Sequence, residues 1–139
     1  MDEGFGYKEL APRLRVLNYQ IECHQEHHNK KQSISDDINI LICAENNWLL
    51  TTTDKNLVLR YRDLLNKHKQ SVVFTSNNQE KFDTWLKAFT VAKIAIERNW
   101  KKTPPSWIGR LHPSGYLEVS GLMQYTEYHS EKVRKKRQR

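Results

Sequence analysis

Apolar side chains recur along the chain in short bursts, some at helical spacing and some at the spacing of a strand. Within Tyr7 to Leu17, Leu10, Leu14 and Leu17 fall on one helical face, with Pro12 the main objection to an unbroken helix. Tyr19 to His24 alternates apolar and polar residues like a short strand, and Gln25 to Ile34, rich in His, Asn and Lys, reads as a loop. Ser35 and Asp36 can cap a helix carrying Ile38, Leu41, Ile42 and Cys43, and Trp48 to Thr53 is a β-favouring run after Asn46-Asn47. The pattern then predicts a helix over Leu57 to Lys69, a buried strand at Val72 to Thr75 and a long helix from Gln79 to Trp100. The core face of that long helix would be Phe82, Leu86, Phe89, the aliphatic stem of Lys93 and Ile96. Pro104-Pro105 stops it, and Trp107 to Leu111 and Tyr116 to Val119 flank His112-Pro-Ser-Gly115 as a hairpin. Helices alternating with short apolar strands predict an α/β fold, with a mostly parallel sheet and an antiparallel hairpin at one edge.

Length and charge refine this picture. A chain of 139 residues is about one domain and buries a core without staples. Its net charge of +7 favours an anionic partner, but Glu131 to Arg139 holds six basic side chains against one acid, so the body carries little of the charge. The organisation expected is a domain over residues 1–122 and a basic, disordered tail over 123–139. Two cysteines, Cys23 and Cys43, have no metal-type spacing and read as reduced, buried thiols. No apolar run approaches the roughly 18 residues of a membrane span, and the N-terminus has no apolar signal region, so the expectation is a cytoplasmic protein without a membrane contact.

The candidate chemistry is acidic. In open parallel sheets ligands bind at the carboxyl ends of strands, where Asp54 sits at the exit of the Trp48 to Thr53 run. An isolated Asp there is more often a turn former or helix cap. Asp36 and Asp37 open the preceding helix, however, and Asp2 with Glu3 stands before the first one, so three acidic spots precede helices and can converge on one edge of the sheet. Converging carboxylates repel unless a hard divalent cation neutralises them, and Mg²⁺ or Mn²⁺ suits such a site. Thr52, Lys55, Arg60 and Arg62 lie close enough in sequence to hold phosphate oxygens, with solvated surface charge the bland reading for the two arginines.

At this point the residues resemble a known family. Ser35 to Lys55, with an Asp opening a helix and an apolar strand ending in Thr-Thr-Asp54-Lys55, resembles the PIN-like ribonuclease superfamily. The strand end Val72 to Asn77 and the run Pro104 to Gly115 look like its VapC-type toxin branch, and Asp2-Glu3-Gly4 looks like the acidic start that follows the family's first strand. Because Met1 directly precedes Asp2, the expectation is a PIN-like domain without that first strand. The resemblance implies a three-layer α/β/α fold, with Asp2, Asp36 and Asp54 as catalytic, metal-binding acids. Glu3, Asp37, Thr52 and Lys55 would support them, and Arg60, Arg62, Arg110, Lys135, Lys136 and Arg137 would hold RNA. It also implies Mg²⁺-dependent cleavage of single-stranded RNA by a toxin paired with a cognate antitoxin, and leaves a homodimer open. The alternative is a non-catalytic PIN-like module that binds RNA or protein.

Other signals are weaker. His24, His27 and His28 form neither HExxH nor a paired Cys/His finger and read as a polar loop, and His112 reads as a turn residue. Trp48, Trp85, Trp100 and Trp107 can all be core, although Trp107 and Tyr116 are the better candidates for stacking an unpaired base.

Overall fold

The computed structural model describes residues 35–75 and 82–128. The expected helix at Tyr7 to Leu17, the strand at Tyr19 to His24, the histidine-rich loop, Cys23, Asp2, Glu3 and the tail residues Lys135, Lys136 and Arg137 all lie outside the described residues.

The described chain is mixed α/β. In order it forms helix α1 (Asp36–Asn46), strand β1 (Leu50–Thr52), helices α2 (Leu57–Arg60) and α3 (Arg62–Lys67), strand β2 (Val72–Thr75), helix α4 (Phe82–Lys102), and strands β3 (Trp107–Leu111) and β4 (Leu117–Gly121). A last helical stretch, α5, covers residues 122–128, so the expected tail boundary at 123 falls inside a helix whose Leu122 and Thr126 are buried. The four strands form one sheet in the order β1-β2-β3-β4. β1, β2 and β3 are parallel, with Thr52 opposite Phe74 and Phe74 opposite Arg110, and β4 returns antiparallel with Glu118 opposite Arg110.

Alternation along the strands splits the core between the two faces of the sheet. Val73, Trp107 and Leu111 pack with Trp85, Ala88, Phe89, Ala92 and Ile96 of α4. Val72, Phe74 and Ile108 point the other way and pack with Ile40, Leu50, Leu57, Val58, Leu65 and Leu122. The sheet thus carries helices on both faces. Cys43 packs half-buried against the second cluster, and burial pushes its thiol above the ordinary value, which keeps it protonated at neutral pH.

Four departures from the sequence pattern are seen, and three have a physical cause. β1 is shorter than the Trp48 to Thr53 run because the Gln70 side-chain amide donates to the Trp48 carbonyl at 2.7 Å, so the ladder begins at Leu50. The expected helix over Leu57 to Lys69 breaks at Tyr61 (φ −112°, ψ 25°), where the ring packs against the core and tertiary contact overrides helical spacing. In α1 the buried positions are Asn39 and Ile40, while Ile38 and Leu41 are exposed. On α4 the buried stripe runs through Trp85, Ala88, Phe89, Ala92 and Ile96, because the two alanines let the helix approach the sheet, and Lys93 instead pairs with Glu97 at 2.8 Å.

The hairpin forms where expected. Gly115 sits at φ +92° against Val91, where an added Cβ would fall 2.5 Å from the Val91 Cβ, so only glycine fits. No helix among the described residues is long and apolar enough to cross a membrane.

Candidate acidic site

The loop leaving β1 is built around one carboxylate. Thr52 ends the strand fully buried, and its hydroxyl oxygen accepts the Asp54 N–H at 3.1 Å. Asp54 Oδ1 in turn accepts the Asn56 N–H at 2.9 Å, and its carbonyl accepts the Leu57 N–H at 3.2 Å, which starts α2. Asp54 is therefore a turn former, as its bland reading holds, but the turn uses only one of its side-chain oxygens. Oδ2 accepts a charge-assisted hydrogen bond from Arg60 Nη2, on the last residue of α2.

The second acid arrives from another element. Asp36 opens α1, and its Oδ2 lies 3.7 Å from the same Arg60 Nη2. Two carboxylates set far apart in the chain thus meet on one guanidinium nitrogen at the carboxyl end of β1. The expected convergence of Asp36 and Asp54 is present, with Arg60 between them. The side chains of Asp36 and Asp54 are 33% and 37% exposed and that of Arg60 is 56% exposed. Ion pairs this open to water contribute less than about 1 kcal/mol each, so the arrangement does little for stability. Among the described residues no third His, Cys, Asp or Glu joins the pair.

The remaining candidates divide by position. Asp37 is exposed in the first turn of α1, and the Ser35 hydroxyl's hydrogen bond holds its carboxyl below the ordinary value. Ser35 occupies the N-cap position but makes no side-chain cap bond to the helix, and its hydroxyl donates to the Asp37 carboxylate. Since the folded-state value is depressed, Asp37's contribution is present at neutral pH and is lost as pH falls through that value. Ser35→Ala is expected to move the Asp37 titration upward towards an ordinary carboxylate, as followed by carboxyl chemical shifts in NMR.

Lys55 is exposed in the turn beside Asp54. Arg62 is half-exposed at the start of α3, with its Nε 3.6 Å from Asp63. Of the two roles expected of Thr52, the hydroxyl's bond to the Asp54 N–H agrees with support of the turn, and the side chain has no exposed surface with which to reach a phosphate. Thr52→Val keeps the shape but removes the acceptor of the Asp54 N–H, and is expected to cost about 1–2 kcal/mol in urea denaturation while loosening the Asp54 turn. Arg110 stands on β3 between Phe74 and Glu118, partly buried, with its Nε enclosed and without a hydrogen bond. Trp107 is corrected from base-stacking candidate to core residue, being only 2% exposed, whereas Tyr116 is 63% exposed. His112 lies at the hairpin as expected, with Nε2 3.2 Å from Glu118.

Sequence reasoning missed two residues of the site. Asn56 fixes the Asp54 carboxylate through its backbone N–H, and the signal was Asp54 itself, since an Asp that starts an Asx turn bonds the backbone two residues on. Tyr61 places its ring 5.8 Å beneath the Arg60 guanidinium, which nothing local in the sequence announces. Comparison with protein-family models, with curated proteins and with solved structures finds no match.

Proposed function

We propose that the chain is a Mg²⁺- or Mn²⁺-dependent endoribonuclease with a PIN-like three-layer α/β/α fold. It cleaves single-stranded RNA in the cytoplasm and acts as the toxin of a pair whose antitoxin protein covers the acidic pocket. One observation carries this reading: Asp36 and Asp54 come from separate elements and meet on a single cation at the carboxyl end of a parallel strand. Two exposed carboxylates that share one cationic partner are a donor set of the hard oxygen type that Mg²⁺ and Mn²⁺ take. Asp36 and Asp54 would hold the ion, with Asp2 and Glu3 the further acids that the resemblance to PIN-like ribonucleases brings to it. When bound, such an ion neutralises charge on the scissile phosphate and lowers the pKa of a coordinated water.

The chain's own residues have distinct tasks. The Thr52 hydroxyl holds the Asp54 backbone N–H, and the Asn56 N–H holds the Asp54 carboxylate. Lys55, in the turn after Asp54, and Arg62, at the start of α3, supply exposed positive charge suited to steering a polyanion. Exposed Tyr116 offers a ring for stacking an unpaired base.

A second reading has one observation in its favour. Arg60 already pairs with both acids, which a non-catalytic module that binds RNA or protein would also display. The two are separated by incubating the purified full chain with labelled single-stranded RNA in Mg²⁺, in Mn²⁺ and in excess chelator. The nuclease reading expects cleavage that stops in chelator and returns with added metal, whereas RNA binding without cleavage under either metal supports the module.

A further inference from the structure

We propose that Arg60 is a built-in counter-ion that competes with the divalent cation for Asp36 and Asp54 and, once displaced, passes to a phosphate of the substrate. This rests on the metal-dependent nuclease reading. Asp54 does not depend on Arg60 for its position, being fixed by the Thr52 hydroxyl and the Asn56 N–H, and the backbone of Asp36 is set by the first turn of α1. Arg60 by contrast closes a short helix, is more than half exposed, and keeps the Tyr61 ring 5.8 Å away as a contact that does not involve the acids. It is therefore the movable member of the trio.

Its present position sets a positive charge against a metal on the same atoms. Mg²⁺ takes carboxylate oxygens at roughly 2.0–2.1 Å. A dication at that distance from Asp36 Oδ2 and Asp54 Oδ2 would stand against the Arg60 Nη2 that now bonds or faces both. Ion and guanidinium thus repel one another and compete for the same oxygens. A displaced guanidinium beside a metal-held phosphodiester has the planar fork that grips phosphate oxygens in pairs. Two consequences follow by linkage: Arg60 lowers metal affinity in the free protein, and a phosphate ligand that draws Arg60 away raises it. The metal then loads best where RNA is already present, which limits idle metal binding.

The test measures Mn²⁺ binding to the full chain by electron paramagnetic resonance, alongside cleavage of single-stranded RNA. Arg60→Gln is expected to tighten Mn²⁺ binding about fivefold or more and to slow cleavage at saturating Mn²⁺, while Arg60→Lys, which keeps the charge, stays close to wild type in Mn²⁺ affinity. Circular dichroism checks that both variants are folded. Unchanged or weaker Mn²⁺ binding in Arg60→Gln overturns the competition, and tighter binding with undiminished cleavage overturns the hand-over to phosphate. Absence of Mn²⁺ binding in wild type and both variants overturns the nuclease reading together with this one, so the two failures are distinguishable.

Discussion

Asp54→Asn is expected to lower metal-dependent RNA cleavage by about a hundredfold or more, because the charge that holds the cation is worth several kcal/mol of transition-state stabilisation. The substitution is nearly isosteric. The Asn side-chain oxygen still accepts the Asn56 N–H, and the Thr52 hydroxyl still accepts the N–H of residue 54, so the turn survives. What is lost is the oxygen that faces Arg60, at a site about a third exposed. Removing an ion pair this solvated changes stability by less than about 1 kcal/mol. Loss of cleavage with an unchanged urea midpoint is therefore the expected result. Cleavage at the wild-type rate would remove Asp54 from the chemistry, and a large drop in the midpoint would make it a structural residue.

Trp107→Ala is expected to cost about 3–5 kcal/mol of folding stability, a large share of the roughly 5–15 kcal/mol that holds a domain together. Trp107 begins β3 at 2% exposure, packed with Val73, Trp85, Phe89 and Leu111 between the sheet and α4. Its backbone N–H donates to the buried Ser71 hydroxyl at 3.0 Å, so the residue also anchors the start of the strand to β2. Truncation opens a cavity in a layer whose neighbours sit on rigid strands and a long helix and do not collapse into it. Urea denaturation checks this, and a loss below about 1 kcal/mol would contradict the placement of Trp107 in the core.

The order of elements was readable because apolar runs at β2, β3 and β4 are separated by turn and helix signals that agree with the final packing. Gly115 in the hairpin and the prolines at 104 and 105 mark their turns by local chemistry alone. What the pattern misplaced depends on contacts between distant residues. The break at Tyr61 comes from a ring drawn into the core, and the short β1 from an amide on Gln70 that takes the Trp48 carbonyl. Trp107 and Tyr116 have similar sequence surroundings, and only the fold decides that one is enclosed by α4 and the other faces water.

The site shows the same division. Asp36 and Asp54 were recognisable as acids before helices, and their convergence follows from a helix start and a strand end meeting at one edge of the sheet. Arg60 was read as a phosphate ligand or as solvated charge. Its place between the two acids depends on the turn at 53–56 reversing the chain, which hydrophobic periodicity does not encode.

The most direct test of a shared cation at Asp36 and Asp54 is a double-mutant comparison of single-stranded RNA cleavage by Asp36→Asn, Asp54→Asn and the combined variant. If the two carboxylates hold one metal ion, each single substitution removes most of the activity and the double variant is scarcely slower than Asp54→Asn alone, as for residues that act as a unit. Losses that multiply, or an Asp36→Asn variant as active as wild type, would contradict the shared site.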